Sequence, residues 1–200
     1  MIYTIIAEPR SGGVSLMNWI EKSLPEFTIA QEPWFVENSL WVEGEDVSDV
    51  NWVKEYDNIF IREIYKPSRD FTNLIKLSDR VLCLYRNNWH EQIRSSLFQE
   101  TNNQYLDDYD ESDVLNVVTN DMITHRYVYY FKEHKEKFQQ FITENNFISV
   151  SYEELYYNEG IDIVKKHFNL NNDIEFPLNT RHLKRDGVPV EPKKIKNNLI

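Results

Sequence analysis

At 200 residues, with 41% hydrophobic and 28% charged side chains, the chain is long enough to bury one ordinary core. Its net charge of −11 argues against non-specific binding to nucleic acid or an anionic membrane. No run approaches the roughly 18 apolar residues of a membrane span, and a lone cysteine, Cys83, with no N-x-Ser/Thr sequon reads as a reducing, cytoplasmic setting.

The elements follow in chain order. Ile2–Ala7 is apolar and β-branched and predicts a first strand. It runs into Glu8-Pro9-Arg10-Ser11-Gly12-Gly13-Val14-Ser15. A helix over 15–24 follows, with Leu16, Trp19 and Ile20 at i, i+3, i+4 spacing. Phe27–Ala30 predicts the second strand, leading to Gln31-Glu32-Pro33-Trp34. The acidic stretch from Glu43 to Asp49 reads as a solvated loop. Ile59–Tyr65 and Val81–Tyr85 are the third and fourth strands, with amphipathic helices over 67–78 and 88–100. A second acidic loop, Asp107–Asp113, precedes a long helix over 113–142. There Val114, Val117, Val118, Met122, Ile123, Tyr127, Tyr130 and Phe131 recur at helical spacing, and the later aromatics are expected in the core. Phe147–Val150 is the fifth strand. Residues 1–185 read as one domain and 186–200 as an irregular tail.

Strands alternating with helices predict an α/β protein, three layers with a central, mainly parallel sheet. In such sheets ligands bind beyond the C-terminal strand ends. Three strand ends carry chemistry. After the first, Gly12-Gly13 ahead of a helix is the geometry that binds a phosphate: backbone N–H groups and the positive helix end converge, and glycine lets an anion approach. The same Gly-Gly also suits a sharp βα turn with no ligand. After the fourth strand stands Arg86, with Ser95 in the next helix. They form either a second phosphate site or an ordinary ion-pair residue and a filler. After the second strand Glu32 places a carboxylate at the same crevice, or simply starts a helix beside Pro33.

Together these features resemble the sulfotransferases that use 3′-phosphoadenosine 5′-phosphosulfate (PAPS). Their first loop, roughly Pro-Arg/Lys-Ser-Gly-Thr-Thr-Leu, is matched by Pro9-Arg10-Ser11-Gly12-Gly13-Val14-Ser15-Leu16. Their second motif places Arg at a strand end and Ser eight or nine residues on, as Arg86 and Ser95 stand here. Glu32-Pro33 is similar to the carbohydrate-type and bacterial branches, and Tyr152-Glu153-Glu154-Leu155 to the family's Tyr-Glu-Asp-Leu landmark, taken as marking the fold rather than the chemistry. The resemblance implies a P-loop-like fold and in-line transfer of sulfonate from PAPS to an acceptor hydroxyl or amine. No metal is involved in it. It implies that Arg10, Ser11, Gly12, Gly13, Val14, Ser15, Arg86 and Ser95 bind the nucleotide. Arg10 would neutralise the leaving group, and Glu32 would be the base.

The departures are specific. Gly13-Val14 replaces Thr-Thr, and Arg62-Glu63-Ile64 stands where the cytosolic branch has Lys-Thr-His. Arg62 then supplies the charge, with Glu63 or His90 as the other candidate bases. Lys184-Arg185-Asp186-Gly187 is faintly similar to an Arg-Lys-Gly loop that touches the 3′-phosphate. Two other readings stand beside this one. A nucleotide-dependent phosphotransferase would need the Gly-Lys-Ser/Thr that this loop lacks. A catalytically silent binding module would account for the altered Gly13-Val14 turn. His90-Glu91-Gln92-Ile93-Arg94 begins like a zinc helix, but Arg94 stands in place of the second histidine.

Overall fold

The first strand, β1 (Ile2–Ala7), is buried along nearly its whole length because it lies in the middle of the sheet. The structure, a computed structural model, describes residues 1–34, 50–102, 118–157, 160–170 and 176. The two acidic stretches, Val114, Val117, Lys184–Gly187 and the tail lie outside the described residues. Strand β1 pairs in parallel with β3 (Ile59–Ile64) on one side and β4 (Arg80–Tyr85) on the other. Strand β2 (Thr28–Gln31) adds outside β3, and β5 (Ile148–Ser151) outside β4, again in parallel. The order is β2-β3-β1-β4-β5.

Side chains alternate between the two faces with the pleat. Tyr3, Ile5, Ala7, Phe60, Leu82 and Leu84 join one core, completed by helices α1 (Gly13–Ser23), α6 (Tyr152–Tyr157) and α7 (Gly160–Phe168). Ile6, Ile59, Ile61, Val81 and Cys83 join the other, against Leu74 of α2 (Thr72–Leu77) and Phe138 of a later helix. Helix α3 (Trp89–Asn102) contributes Ile93 and Leu97 to a third cluster with Ile123 of α4 (Asn120–Arg126). The expected three-layer α/β/α arrangement is therefore present, and its described sheet is wholly parallel. Among the described residues no helix is long and apolar enough to cross a membrane.

The strand order fixes where a ligand can sit. From β1 the chain leads away toward β2, and from β4 it leads toward β5 on the opposite side. The loops after β1 and β4 diverge, which opens a crevice at their C-terminal ends.

The predicted strands all form, with edges moved by a residue. The helix expected over 67–78 is confined to Thr72–Leu77, because 66–69 close a turn (Arg69 N–H to Lys66 O, 3.0 Å). The long helix expected over 113–142 differs more. Thr119 is extended (φ −84°, ψ 158°), its side chain accepts from Met122 N–H, and the helix begins at Asn120. A π-helical turn, Tyr127–Phe131, interrupts it before α5 (Lys132–Glu144). That wider turn rotates the following side chains out of the 3.6-residue phase. Tyr127 still stacks on Trp89 (4.1 Å), but Tyr130, expected in the core, is 66% exposed.

Candidate active site

The turn after β1 takes its shape from two left-handed residues, Arg10 (φ 60°) and Gly12 (φ 82°). Ser11 is buried and its hydroxyl donates to the Glu8 carbonyl at 2.6 Å, so this side chain braces the turn from within. Gly12 is the N-cap of α1, and no side chain caps that helix end. Both glycines are crowded by their neighbours. A Cβ on Gly12 would lie 2.8 Å from Tyr156 Cε2 and 2.9 Å from Tyr152 Cδ2. A Cβ on Gly13 would lie 2.8 Å from Arg62 Cδ and 3.0 Å from its Nη1. The space beside Gly13 is filled by an arginine reaching across from β3. Val14 is exposed and Ser15 half-buried on the first turn of α1.

Across the crevice, Arg86 directly follows β4, with its guanidinium 4.3 Å above the Tyr152 ring. It also donates to the Arg10 carbonyl at 3.4 Å. Arg10 Nε donates to Ser95 Oγ at 3.0 Å. Residues from the first turn, a strand end and the helix beyond it thus meet at the β1–β4 divergence. The start of α3 is closed by the protein itself. Both Glu153 oxygens accept at 2.9 Å, from Asn87 and Asn88 N–H, and Asn88 Oδ1 accepts from Glu91 N–H at 3.1 Å. The Ser151-Tyr152-Glu153-Glu154 stretch forms a capping box, Glu154 N–H to Ser151 Oγ and Ser151 N–H to Glu154 Oε2. This segment, expected only to mark the fold, shapes both turns: Tyr152 and Tyr156 wall Gly12, and Glu153 ties down the β4 loop.

The three candidate bases occupy very different settings. Glu32 is left-handed (φ 49°) and its N–H donates to the Arg62 carbonyl at 2.6 Å. Its carboxylate, 23% exposed, is ion-paired with the buried Arg62 guanidinium. Arg62 and Glu63 are adjacent on β3 and so point to opposite sheet faces. Arg62 lies on the α1 face, against Gly13. Glu63 is fully buried on the other, where it accepts from Arg69 (2.6 Å), Ile64 N–H (3.0 Å) and Trp34 N–H (3.4 Å). Burial pushes the Glu63 carboxyl above the ordinary range, with Arg69 working against that shift. Glu63 therefore holds loops together and does not face α1. His90, in the first turn of α3, is 42% exposed, with Nδ1 3.7 Å from Glu91. Glu91 is also bonded by Arg94 at 2.6 Å, and among the described residues no group of His, Cys, Asp or Glu is arranged to hold a metal.

Sequence reasoning missed a buried cluster beneath the crevice. Glu8, fully enclosed, is ion-paired with Lys135 of α5 at 3.1 Å and accepts from the Gln92 amide at 3.3 Å. The available signal was positional. Phe131, Lys135 and Phe138 fall at i, i+4, i+7, which puts a lysine on the apolar stripe of its helix.

No family model matches the chain, and no curated protein matches its sequence. Among solved structures, a mouse sulfotransferase complexed with PAP, the nucleotide 3′-phosphoadenosine 5′-phosphate, is similar, with a TM-score of 0.55 and 12% identity. The match covers 86% of this chain, which spans only 60% of the mouse chain. At that identity the likeness shows the fold: the P-loop-like α/β fold of a sulfotransferase.

Proposed function

We propose that the chain is a PAPS-dependent sulfotransferase acting on an acceptor hydroxyl or amine. The observation that carries this reading is the meeting of the Gly12–Gly13 turn with Arg10, Arg86 and Ser95 across the β1–β4 crevice. Two groups of anion donors, one at a helix start and one around two guanidiniums, suit a nucleotide bearing a phosphate at each end of its ribose. PAPS supplies a sulfonate joined to a phosphate leaving group. The chain's part is electrostatic and positional. Backbone N–H groups at the start of α1 and the Arg62 guanidinium beside Gly13 surround the expected 5′ end. They meet negative charge as it develops on the leaving oxygen, the kind of preorganised stabilisation that is usually the largest catalytic term. Arg10 adds a forked donor. Glu32 takes the acceptor proton as the new oxygen–sulfur or nitrogen–sulfur bond forms and the sulfur–oxygen bond to the nucleotide breaks. It must therefore share its carboxylate between Arg62 and the acceptor. A general base of this kind contributes about 10²–10⁴-fold.

One observation favours a second reading, a silent binding module. Arg62 crowds Gly13, where the resemblance expects threonine, and is already neutralised by Glu32. A single experiment separates the readings. Thermal unfolding is followed with PAP, and with ATP with and without Mg²⁺. A ligand at about 100 times its Kd adds roughly 2.7 kcal/mol, a shift of about 5–10 °C at this chain length. A shift with PAP alone, followed by sulfonate transfer in an acceptor screen, supports the enzyme. A normally stable fold with no shift from PAP supports the module, and a Mg²⁺-dependent shift with ATP supports a phosphotransferase.

A further inference from the structure

The Lys135 ammonium reaches both turns of the crevice at once. Toward β1 it donates to Glu8 Oε2 at 3.1 Å and lies 3.5 Å from Oε1. Toward β4 it donates to the Arg86 carbonyl at 2.6 Å, with Gln92 Oε1 at 3.4 Å. Glu8 Oε2 also accepts the Arg86 N–H at 3.1 Å, and the Gln92 amide, 3.3 Å from that oxygen, donates to the Pro9 carbonyl at 2.6 Å. Each member therefore bonds across the gap between the two loops. The cluster sits where Glu8 N–H makes its ladder bond to Leu84 O (2.8 Å), just before the strands lead apart. The Glu8 side chain is wholly enclosed and Lys135 is 18% exposed, so water does little to weaken the pair.

We propose that Lys135 is a positioning residue that sets the separation of the two anion-binding turns, so that one nucleotide is gripped at both phosphates. This rests on the sulfotransferase reading. Lys135 touches the backbone and Glu8, and its position on α5 gives it a fixed anchor: His134 beside it bonds the Tyr65 carbonyl at 3.1 Å, and Phe138 packs 4.6 Å from the Tyr65 ring. Removing the ammonium leaves the Arg86 carbonyl without its 2.6 Å donor and Glu8 without its counter-ion. The turns then lose their charged tie, and the neutral Arg86–Glu8 and Gln92–Pro9 bonds alone hold the spacing beneath the crevice less firmly. A ligand with a single phosphate engages one turn and is indifferent to that spacing. A ligand with two phosphates is not.

The test is calorimetric binding of PAP and of AMP, which lacks the 3′-phosphate, to wild type and two variants. Lys135→Met leaves Glu8 unpaired, so the neutral pair Glu8→Gln/Lys135→Met is made beside it as the variant that spares folding. We expect the neutral pair to weaken PAP at least tenfold while AMP stays within twofold. Unchanged PAP affinity in the variants, equal loss for both nucleotides, or failure of both variants to fold would each overturn the positioning role. A wild type that binds neither nucleotide would instead overturn the sulfotransferase reading on which it stands.

Discussion

Gly13→Ala is the sharpest probe of the site, because two opposed effects act on one methyl group. Gly13 opens α1 without a positive φ, so its backbone accepts alanine, and alanine in a helix is worth up to about 1 kcal/mol over glycine. Against this, the new Cβ would sit 2.8 Å from Arg62 Cδ, closer than non-bonded carbons approach. Arg62 has little room to yield, being 4% exposed and ion-paired with Glu32. Overpacking of this kind costs about 1–3 kcal/mol, so the substitution should destabilise by about 1 kcal/mol net. In an Arg62→Ala background the obstructing Cδ is gone, and the same Gly13→Ala should stabilise by up to about 1 kcal/mol. The double-mutant cycle then yields a coupling of about 1–3 kcal/mol with a reversal of sign. Urea unfolding of the four proteins reads it directly, each kcal/mol moving the midpoint by about 0.5 M at an m-value near 2 kcal/mol/M. Stabilisation by Gly13→Ala in both backgrounds would refute the contact.

Other outcomes follow from the same geometry. Gly12→Ala should cost about 2–4 kcal/mol in calorimetric unfolding, combining a left-handed backbone (φ 82°) with a clash against Tyr156; a loss below about 1 kcal/mol would contradict both terms. Glu32→Gln should keep PAP affinity and lose at least about 10²-fold in transfer, whereas near wild-type turnover would move the base elsewhere, to His90 first. The folded state holds the Glu63 proton more tightly than the unfolded chain, since burial raises its value above the ordinary 4.5. Its contribution to stability is thus fullest below that pH and is lost as pH climbs through the raised value. Glu63→Gln should remove this slope from the urea midpoint measured between pH 4 and 7, and an unchanged slope would assign it to other groups. Cys83 is fully enclosed and its thiol is raised far above the usual range by burial. A disulfide reagent should therefore modify it only after denaturation, and rapid reaction of the native protein would show that β4 opens.

Much of this was legible from local pattern. The strands announce themselves because parallel sheets covered on both faces need near-continuous apolar runs, as Ile2–Ala7 and Arg80–Tyr85 show. Arg10 and Arg86 could be placed at strand ends, and Ser95 in the helix beyond, because the strands were readable, and the structure brings them together. What escaped is what depends on pairs distant in sequence. The parity that sends Arg62 to α1 and Glu63 to the opposite face follows from the pleat, yet its meaning depends on Gly13 and Arg69 being there. The Glu8–Lys135 pair spans 127 residues and leaves only one local trace, a lysine on an apolar stripe. Tyr130 was misjudged because a π turn leaves no period of its own in the sequence.

The first-turn glycine is walled by tyrosines that the ribosome adds far later. Tyr156 donates to the Gly12 carbonyl at 3.4 Å across 144 residues. At ordinary rates of synthesis, about 5–20 residues per second, some 7–30 s separate the appearance of the turn from that of its wall. Strands β1 to β4 can be made and paired in that interval, but the turn after β1 cannot take its final form. The earliest-made motif in the chain is therefore among the last to be completed. A nascent chain halted before β5 would carry the full loop sequence and no finished site.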